Sequence, residues 1–302
     1  MDTSTHHYAV ATFRHDVPLE GHEAKAIQDR TPEYNVTTLT NGFTILTEGT
    51  KFPGPVNLGI MLNVGTRDET ADTSGACLAI KNVYLKTLKH TNETVNYGMS
   101  QMCGGHIKMD YDQESMYFNA SCIEYDVTDI FQVLVDLAYE PKSTLAANVA
   151  KSKNRKSHEL AKYLSKYDPF AYTEDLLLRT AYGFNTLGNP LLGQEHNLDY
   201  INSKMLQDFV LNTVTPGKSL IVANGVNNHN EFVQLAKERL HEFLPVPEDH
   251  YQRTPAQYIG GESRNWTETP NTSITVGFEG ASWTSENQPA LQVAAALLGC
   301  SQ

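Results

Sequence analysis

Residues 56–86 join an alternating apolar run, a polar turn and a helical segment in a fixed order. Every second side chain from Val56 to Val64 is apolar, which is typical of a half-buried strand. The letters GTRDE follow at 65–69, and residues 74–86 then have the apolar spacing of a helix. The sequence therefore predicts a strand, a tight turn and a helix in direct succession.

The rest of the chain continues this mixture of the two periodicities. Asn41-Gly42 lies between the β-branched runs 36–39 and 43–46, which predicts a hairpin. Alternation predicts further strands at 106–111, 115–123 and 219–223. Helical spacing predicts helices at 93–103, 127–139, 145–163, 170–182, 197–214 and 231–243. We expect an α+β fold, with a mostly antiparallel sheet flanked by helices.

A proline- and glycine-rich stretch divides the chain. It predicts a linker at 251–268, between a first domain at 34–250 and a second beginning at 269–302, and a polar arm at 1–33 precedes both. The second part contains a predicted strand at 273–278 and a predicted helix at 287–298. One strand and one helix cannot bury their own apolar side chains. We therefore expect this incomplete domain to be covered by more of a longer protein or by another polypeptide.

Charge and composition exclude several classes of protein. The net charge of -12 disfavours a general nucleic-acid binder and suits a basic ligand or partner. No apolar run reaches the length of about 18 residues that a membrane span needs. The four cysteines form no C-x-x-C pair, which predicts reduced, buried thiols. Acidic residues outnumber basic ones in the first thirty positions, so we expect no cleavable mitochondrial targeting signal.

Two short motifs have both a functional and an ordinary interpretation. His158-Glu159 begins an H-E-x-x-H pattern, but Lys162 occupies its last position, so a polar helix face is favoured. The basic run at 151–156 predicts a solvated or partner-facing helix face in an acidic protein. The chain has no phosphate-binding glycine motif and no G-x-S-x-G elbow.

Five segments, in this order and spacing, resemble the pitrilysin-type (M16) peptidases. They are LTNG at 39–42, GTRDE at 65–69, DQESMY at 112–117, AYGFNTLGNPL at 181–191 and VGFEG at 276–280. Within that family, the chain resembles the α subunits of mitochondrial processing peptidase, which also serve as core proteins of the cytochrome bc1 complex. The resemblance implies the M16 (LuxS/MPP-like) metallohydrolase fold, a tandem of units of roughly 200 residues, with the second unit truncated here.

The resemblance also locates a degenerate metal site. Zinc-bearing members carry H-x-x-E-H on the predicted helix. In this chain Leu78 replaces the first histidine, Lys81 the glutamate and Asn82 the second histidine. A further glutamate ligand follows about 77 residues later in the family, and that count reaches Glu159, which we interpret as vestigial. Leucine has no lone pair, lysine is a cation and an amide is a poor zinc ligand. We therefore expect no catalytic residue, no metal and no cofactor in this chain.

The resemblance implies a non-catalytic subunit that pairs with a β-type M16 subunit. It would act as a core or scaffold subunit of the cytochrome bc1 complex (complex III), on the matrix side of the mitochondrial inner membrane. Presequence peptides, which are basic amphipathic helices, are further expected ligands if the β partner holds zinc. The alternative is a purely structural M16-like accessory subunit of another respiratory complex, with no role in peptide processing.

Overall fold

A computed structural model describes residues 34–49, 54–85, 105–140, 144–164, 170–183, 186–246, 253–266 and 272–299. The predicted helix at 93–103 and the arm at 1–33 lie outside these residues. Six strands are assigned: β1 Tyr34–Thr38, β2 Thr44–Glu48, β3 Val56–Leu62, β4 His106–Tyr111, β5 Met116–Cys122 and β6 Ser219–Asn224. Seven α-helices are assigned: α1 Ala76–Val83, α2 Val127–Tyr139, α3 Thr144–Leu164, α4 Phe170–Tyr182, α5 Ser203–Thr213, α6 His229–Leu240 and α7 Gln288–Leu298. Both sets refer to the described residues.

The strands form one sheet in the order β1-β2-β6-β3-β5-β4. The predicted hairpin is confirmed, because β1 and β2 pair antiparallel with Thr38 opposite Thr44. Gly42 closes their turn at a φ of +101°, a conformation that glycine adopts readily. Of the paired neighbours, only β2 and β6 run parallel. The α+β class and the mostly antiparallel sheet agree with the prediction.

Helices cover one face of the sheet and create the core. The alternation within β3 and β5 directs Leu58, Ile60 and Phe118 towards this face, where they are buried. Helices α2 and α6 also meet here, and the rings of Phe131 and Phe232 lie 5.2 Å apart. Each large apolar side chain buried in this way contributes about 1.5–3 kcal/mol. The other face of the sheet carries the more exposed side chains of the same strands.

The helix that follows the turn at 65–69 lies at one edge of this layer. Helix α1 packs against the edge strand β4 and against α3 and α5. The hydroxyl of Tyr84 donates to the carbonyl of Ile107 in β4 at 3.1 Å. All but two of the residues of α1 are buried, and the exceptions are Lys81 and Asn82. The fold thus places both of these polar residues where α1 meets its neighbours.

Two predictions from the sequence are wrong: one is the extent of a helix, and the other is the presence of a strand. The predicted helix at 197–214 is interrupted, because Asn202 adopts an extended conformation and its side chain caps α5 by accepting from the backbone N of Met205 at 2.9 Å. The predicted strand at 273–278 is not assigned. Its side chains are exposed, Phe278 at 87%, and the six strands of the sheet do not pair with it. Alternation alone does not form a strand when no partner strand is available.

The predicted helix at 287–298 is confirmed as α7, and its apolar side chains are exposed, among them Leu297 at 83%. This exposure agrees with the expectation that the second part of the chain needs a cover. Among the described residues, no helix combines the length and the hydropathy needed to cross a bilayer.

Candidate functional site

The turn at 65–69 fixes the start of α1 through two carboxylates. Asp68 accepts a hydrogen bond from the backbone N of Gly65 at 2.9 Å. Glu69 accepts from the backbone N of Gly75 at 2.9 Å and from that of Cys77 at 2.8 Å. The N–H groups at the start of a helix have no partner within the helix. The Glu69 carboxylate supplies that partner and so sets where α1 begins.

Two buried titratable groups meet at this junction. Burial raises the pKa of the Glu69 carboxyl to about 7, although the backbone hydrogen bonds oppose this shift. Burial and the neighbouring Glu69 charge also raise the pKa of the Cys77 thiol. The thiolate is the nucleophilic form of cysteine, and the burial of Cys77 within α1 together with its raised pKa disfavours that form. Cys77 and Cys122 are both buried, as the sequence predicts.

The first two positions of the degenerate metal site hold no metal donor. Leu78 is buried in the packing around α1. Lys81 directs its Nζ to Oδ1 of Asp110 in β4 at 2.7 Å, and the same Nζ lies 5.4 Å from the ring centroid of Tyr111. Partial burial raises the pKa of the Asp110 carboxyl, but the hydrogen bond and charge of Lys81 outweigh this and lower it overall. The positive charge on this face of α1 is therefore the ammonium group of Lys81, which is paired with the Asp110 carboxylate.

The third position of the site is held by an amide pair. Nδ2 of Asn82 donates to Oδ1 of Asn154 on α3 at 2.6 Å. Nζ of Lys153 donates to the backbone O of Asn82 at 2.6 Å. Asn154 is fully buried, and its Nδ2 has no hydrogen-bond acceptor in the part of the chain that the structure describes. The amide pair joins α1 to α3 through a side-chain hydrogen bond.

Glu159 does not lie at this junction. The structure places it on the exposed face of α3, whereas Asn154 is the α3 residue that meets Asn82. Five residues along a helix correspond to a rotation of about 140° from the starting direction, so the two side chains point to different sides. Sequence counting missed Asn154. The one sequence feature that could have pointed to Asn154 is its position four residues after Ala150, which is also fully buried.

These residues do not fit a zinc ion. Zinc requires imidazole, thiolate or carboxylate donors in a tetrahedral set, and the three positions offer an alkyl group, an ammonium group and an amide. Among the described residues, no group of three His, Cys, Asp or Glu side chains could hold a metal ion. The face can join helices and make hydrogen bonds, but it cannot activate water in the way that the family's metal does.

The basic run on α3 is largely occupied by the chain itself. Nζ of Lys151 donates to the backbone O of Asp199 at 2.8 Å, and Arg155 forms an ion pair with the Asp199 carboxylate. Further along the helix, Lys162 forms an ion pair with Glu195 at 2.8 Å. These basic side chains fasten the single turn Glu195–Asp199 to α3. Their internal contacts weaken the interpretation of this run as a docking face.

A groove of about 410 Å³ lies on the open face of the sheet. Gly59 of β3 lines it together with Asn119 of β5, whose Oδ1 would lie 3.2 Å from a Cβ atom added to Gly59. A cross-strand row of Asn224, Asn57, Ser121 and His106 borders one end, set by the register of β6, β3, β5 and β4. The lining residues include no Asp, Glu, Lys or Arg side chain. The groove can hydrogen-bond a neutral polar group. No motif or spacing in the sequence predicted it.

Comparison with protein families gives two matches that together span most of the chain. The insulinase model of peptidase family M16 matches residues 44–195. The model of the inactive domain of peptidase M16 matches residues 200–301. The two matches meet near the turn Glu195–Asp199, so the first contains the degenerate metal positions and the second contains α5 to α7.

Similar curated proteins are subunits of mitochondrial processing peptidase. A probable β subunit of Arabidopsis thaliana is 26% identical, over 89% of this chain and 51% of its own length. A probable α-1 subunit of the same plant is 25% identical, over 90% of this chain and 53% of its own length. The chain thus spans about half the length of the curated relatives it matches. A protease from Helicobacter pylori shares the fold, with a TM-score of 0.61 over 75% of this chain and 54% of that one at 12% identity.

Proposed function

We propose that the chain, which belongs to the insulinase family, peptidase family M16, is a non-catalytic subunit of the mitochondrial processing peptidase type, because Leu78, Lys81 and Asn82 stand where the resemblance implies the metal-site residues. In this proposal it is α-like and pairs with a β-type M16 subunit. The pair forms a core or scaffold of the cytochrome bc1 complex on the matrix side of the mitochondrial inner membrane. The placement in complex III is supported by the resemblance of the five sequence segments to α subunits of mitochondrial processing peptidase.

The observation that carries the proposal is the occupied polar face of α1, which meets β4 through Lys81 and α3 through Asn82. Lys81 is bound by Asp110, and Asn82 is bound by Asn154. Metal-assisted hydrolysis needs a coordinated water and a general base beside it. A lysine ammonium has no lone pair to accept the proton. The face therefore supports a subunit that keeps the fold and leaves the chemistry to a partner.

The relatives support a subunit of a heteromeric peptidase. Both β and α subunits match at nearly equal identity, so identity does not separate the two types. The α-like assignment is supported by the replacement of the metal-site residues Leu78, Lys81 and Asn82. The match of residues 200–301 to the inactive domain of peptidase M16 agrees with a non-catalytic role.

A contribution to presequence binding is supported by charge alone. A chain of net charge -12 attracts basic peptides over a distance set by salt screening. The lining of the groove on the open face of the sheet includes no Asp or Glu side chain, so it has no carboxylate to bind a basic peptide. We therefore assign the attraction to the overall field of the subunit rather than to that groove.

The composition of the native assembly tests this proposal. The full-length protein is purified from mitochondria under native conditions, and its partners are identified and counted by mass spectrometry. We expect one β-type M16 subunit for each copy, together with cytochromes b and c1. A β-type partner with subunits of a different respiratory complex would support the accessory-subunit alternative. Purification as a monomer without an M16 partner would contradict both.

A further inference from the structure

Residues 253–266, here called the strap, lie along α4 without regular secondary structure. The backbone N of Ile259 and that of Gly260 both donate to the carbonyl of Ala181, at 2.7 and 3.2 Å. The rings of Tyr258 and Tyr182 are 6.0 Å apart. These contacts hold the middle of the strap against the end of α4.

Arg253 anchors the beginning of the strap to the turn at 65–69. Its Nε donates to Oδ1 of Asp68 at 3.0 Å, and its Nη2 donates to Oδ2 of Asp68 at 2.8 Å. The same guanidinium donates to Oδ1 of Asn63 and to the backbone O of Glu114, each at 2.5 Å. The Asp68 side chain has no exposed surface, and that of Arg253 is 17% exposed. A buried, bidentate pair of this kind is a strong and geometrically specific contact.

The anchored turn is also the element that starts α1. Asp68 accepts from the backbone N of Gly65, and the adjacent Glu69 caps the N-terminus of α1. A second arginine of the turn adds to the connection, because Nη2 of Arg67 donates to the backbone O of Thr254 in the strap at 2.6 Å. The strap and the first turn of α1 are therefore held by one group of charged side chains.

The rest of the strap has little apolar contact of its own. Ile259 is 68% exposed and Trp266 is 96% exposed. A segment with few buried apolar side chains and no regular hydrogen-bond ladder has low local stability. Its attachment then depends on the few polar contacts it makes. Arg253 supplies those with Asp68, Asn63 and Glu114, of which the pair with Asp68 is the most buried.

We propose that Arg253 is a latch that holds the strap closed on the turn at 65–69. Opening of the latch releases the strap from α4 and loosens the N-terminus of α1 in the same step. Along the chain the strap precedes the exposed segment 272–299, and both lie within the second family-matched region. The latch therefore links the position of that segment to the helix that bears Lys81 and Asn82.

Amide hydrogen exchange of the full chain tests the latch. In Arg253→Gln, we expect the peptides that contain Ile259 and Gly260, and those that contain Gly75 and Cys77, to exchange at least about tenfold faster. Peptides from β3 and β5 should keep their protection. Arg264→Gln is the matched control, because Arg264 lies in the same strap but its ion pair with Glu262 is exposed. It should leave both sites unchanged.

Other results of the exchange experiment would overturn the proposal or call for a second variant. Unchanged exchange in Arg253→Gln would overturn the proposal, and so would faster exchange confined to the strap. If the variant unfolds globally, as faster exchange in β3 and β5 would show, Arg253→Lys is measured instead. Lysine keeps the positive charge but cannot form the bidentate contact with Asp68. The proposal then requires faster exchange both in the strap and at the start of α1, with β3 and β5 still protected.

Discussion

The buried Glu69 carboxylate makes stability depend on pH at the level of one residue. Its folded-state pKa of about 7 lies above the ordinary value of 4.5, so the folded chain binds this proton more tightly than the unfolded chain. The stabilisation is fully present below pH 4.5 and is lost as the pH rises to about 7. We expect this group to lower the free energy of unfolding by about 3 kcal/mol across that range.

Urea unfolding of the parent chain and of Glu69→Gln between pH 4.5 and 7.5 measures this effect. The glutamine variant should lose the contribution, so the difference between the two curves should change with pH. Glu262→Gln, at an exposed carboxylate of the strap, should follow the parent. Parallel curves for the parent and Glu69→Gln would show that Glu69 does not titrate with folding.

The Asn82–Asn154 contact predicts which α3 residue could complete a metal site. In the background Leu78→His, Lys81→Glu, Asn82→His, we expect Asn154→Glu to bind one zinc ion per chain. The same background without it, which still contains Glu159, should bind zinc at least about tenfold more weakly, because two imidazoles alone form an incomplete set. Isothermal titration measures both. Equal affinities, abolished by Glu159→Gln, would assign the ligand position to Glu159 instead.

This residue pair shows what counting along a sequence can and cannot predict. The positions of Leu78, Lys81 and Asn82 follow from a contiguous motif on one helix. The α3 partner lies on another helix, and its position depends on how the two helices pack rather than on the number of residues between them. A fixed count then reaches Glu159, which is exposed, while the contact falls on Asn154. The vestigial role of Glu159 stays a prediction.

At the level of elements, Asn41 ties the β1–β2 hairpin to the end of α6. Its Nδ2 donates to the carbonyl of Leu240 at 2.9 Å and to that of Phe243 at 3.3 Å. The Leu240 carbonyl also accepts from the backbone N of Phe243 at 3.2 Å, so Asn41 joins the turn that ends α6. We expect Asn41→Ala to lower the free energy of unfolding by about 1–2 kcal/mol. Asn35→Ala, on the exposed edge strand, should change it by less than about 0.5 kcal/mol.

Chemical denaturation of both asparagine variants measures the difference. Equal effects would mean that Asn41 matters only as a turn residue and that its contact with α6 adds nothing. The hairpin itself was predictable, because Asn-Gly between β-branched runs selects a tight turn. The contact with α6 was not, because nearly 200 residues separate Asn41 from Leu240.

The elements that the sequence predicted wrongly depend on distant partners or on a local cap. The amphipathic pattern at 197–214 is continuous, and only the extended backbone of Asn202 reveals the break. The alternation at 273–278 resembles that of β3, but β3 lies between β5 and β6, and the later segment has no such neighbours in the sheet. Periodicity identifies what a segment can form, and tertiary contacts decide whether it does.

For the whole molecule, the sheet, its covering helices and the family are established, and the subunit's role is proposed. The division into domains at 34–250 and 269–302 stays a prediction. Large apolar side chains of 272–299 are exposed, and the chain spans about half the length of the curated relatives it matches.

Zinc and cleavage activity test the central claim, that this subunit is non-catalytic and works through a partner. The chain alone, a β-type M16 subunit with an intact H-x-x-E-H, and their complex are each assayed for bound zinc by mass spectrometry and for presequence cleavage. We expect no zinc and no cleavage for the chain alone, and one zinc per complex, lost when the β subunit's motif is mutated. Stoichiometric zinc or cleavage by the isolated chain would contradict it.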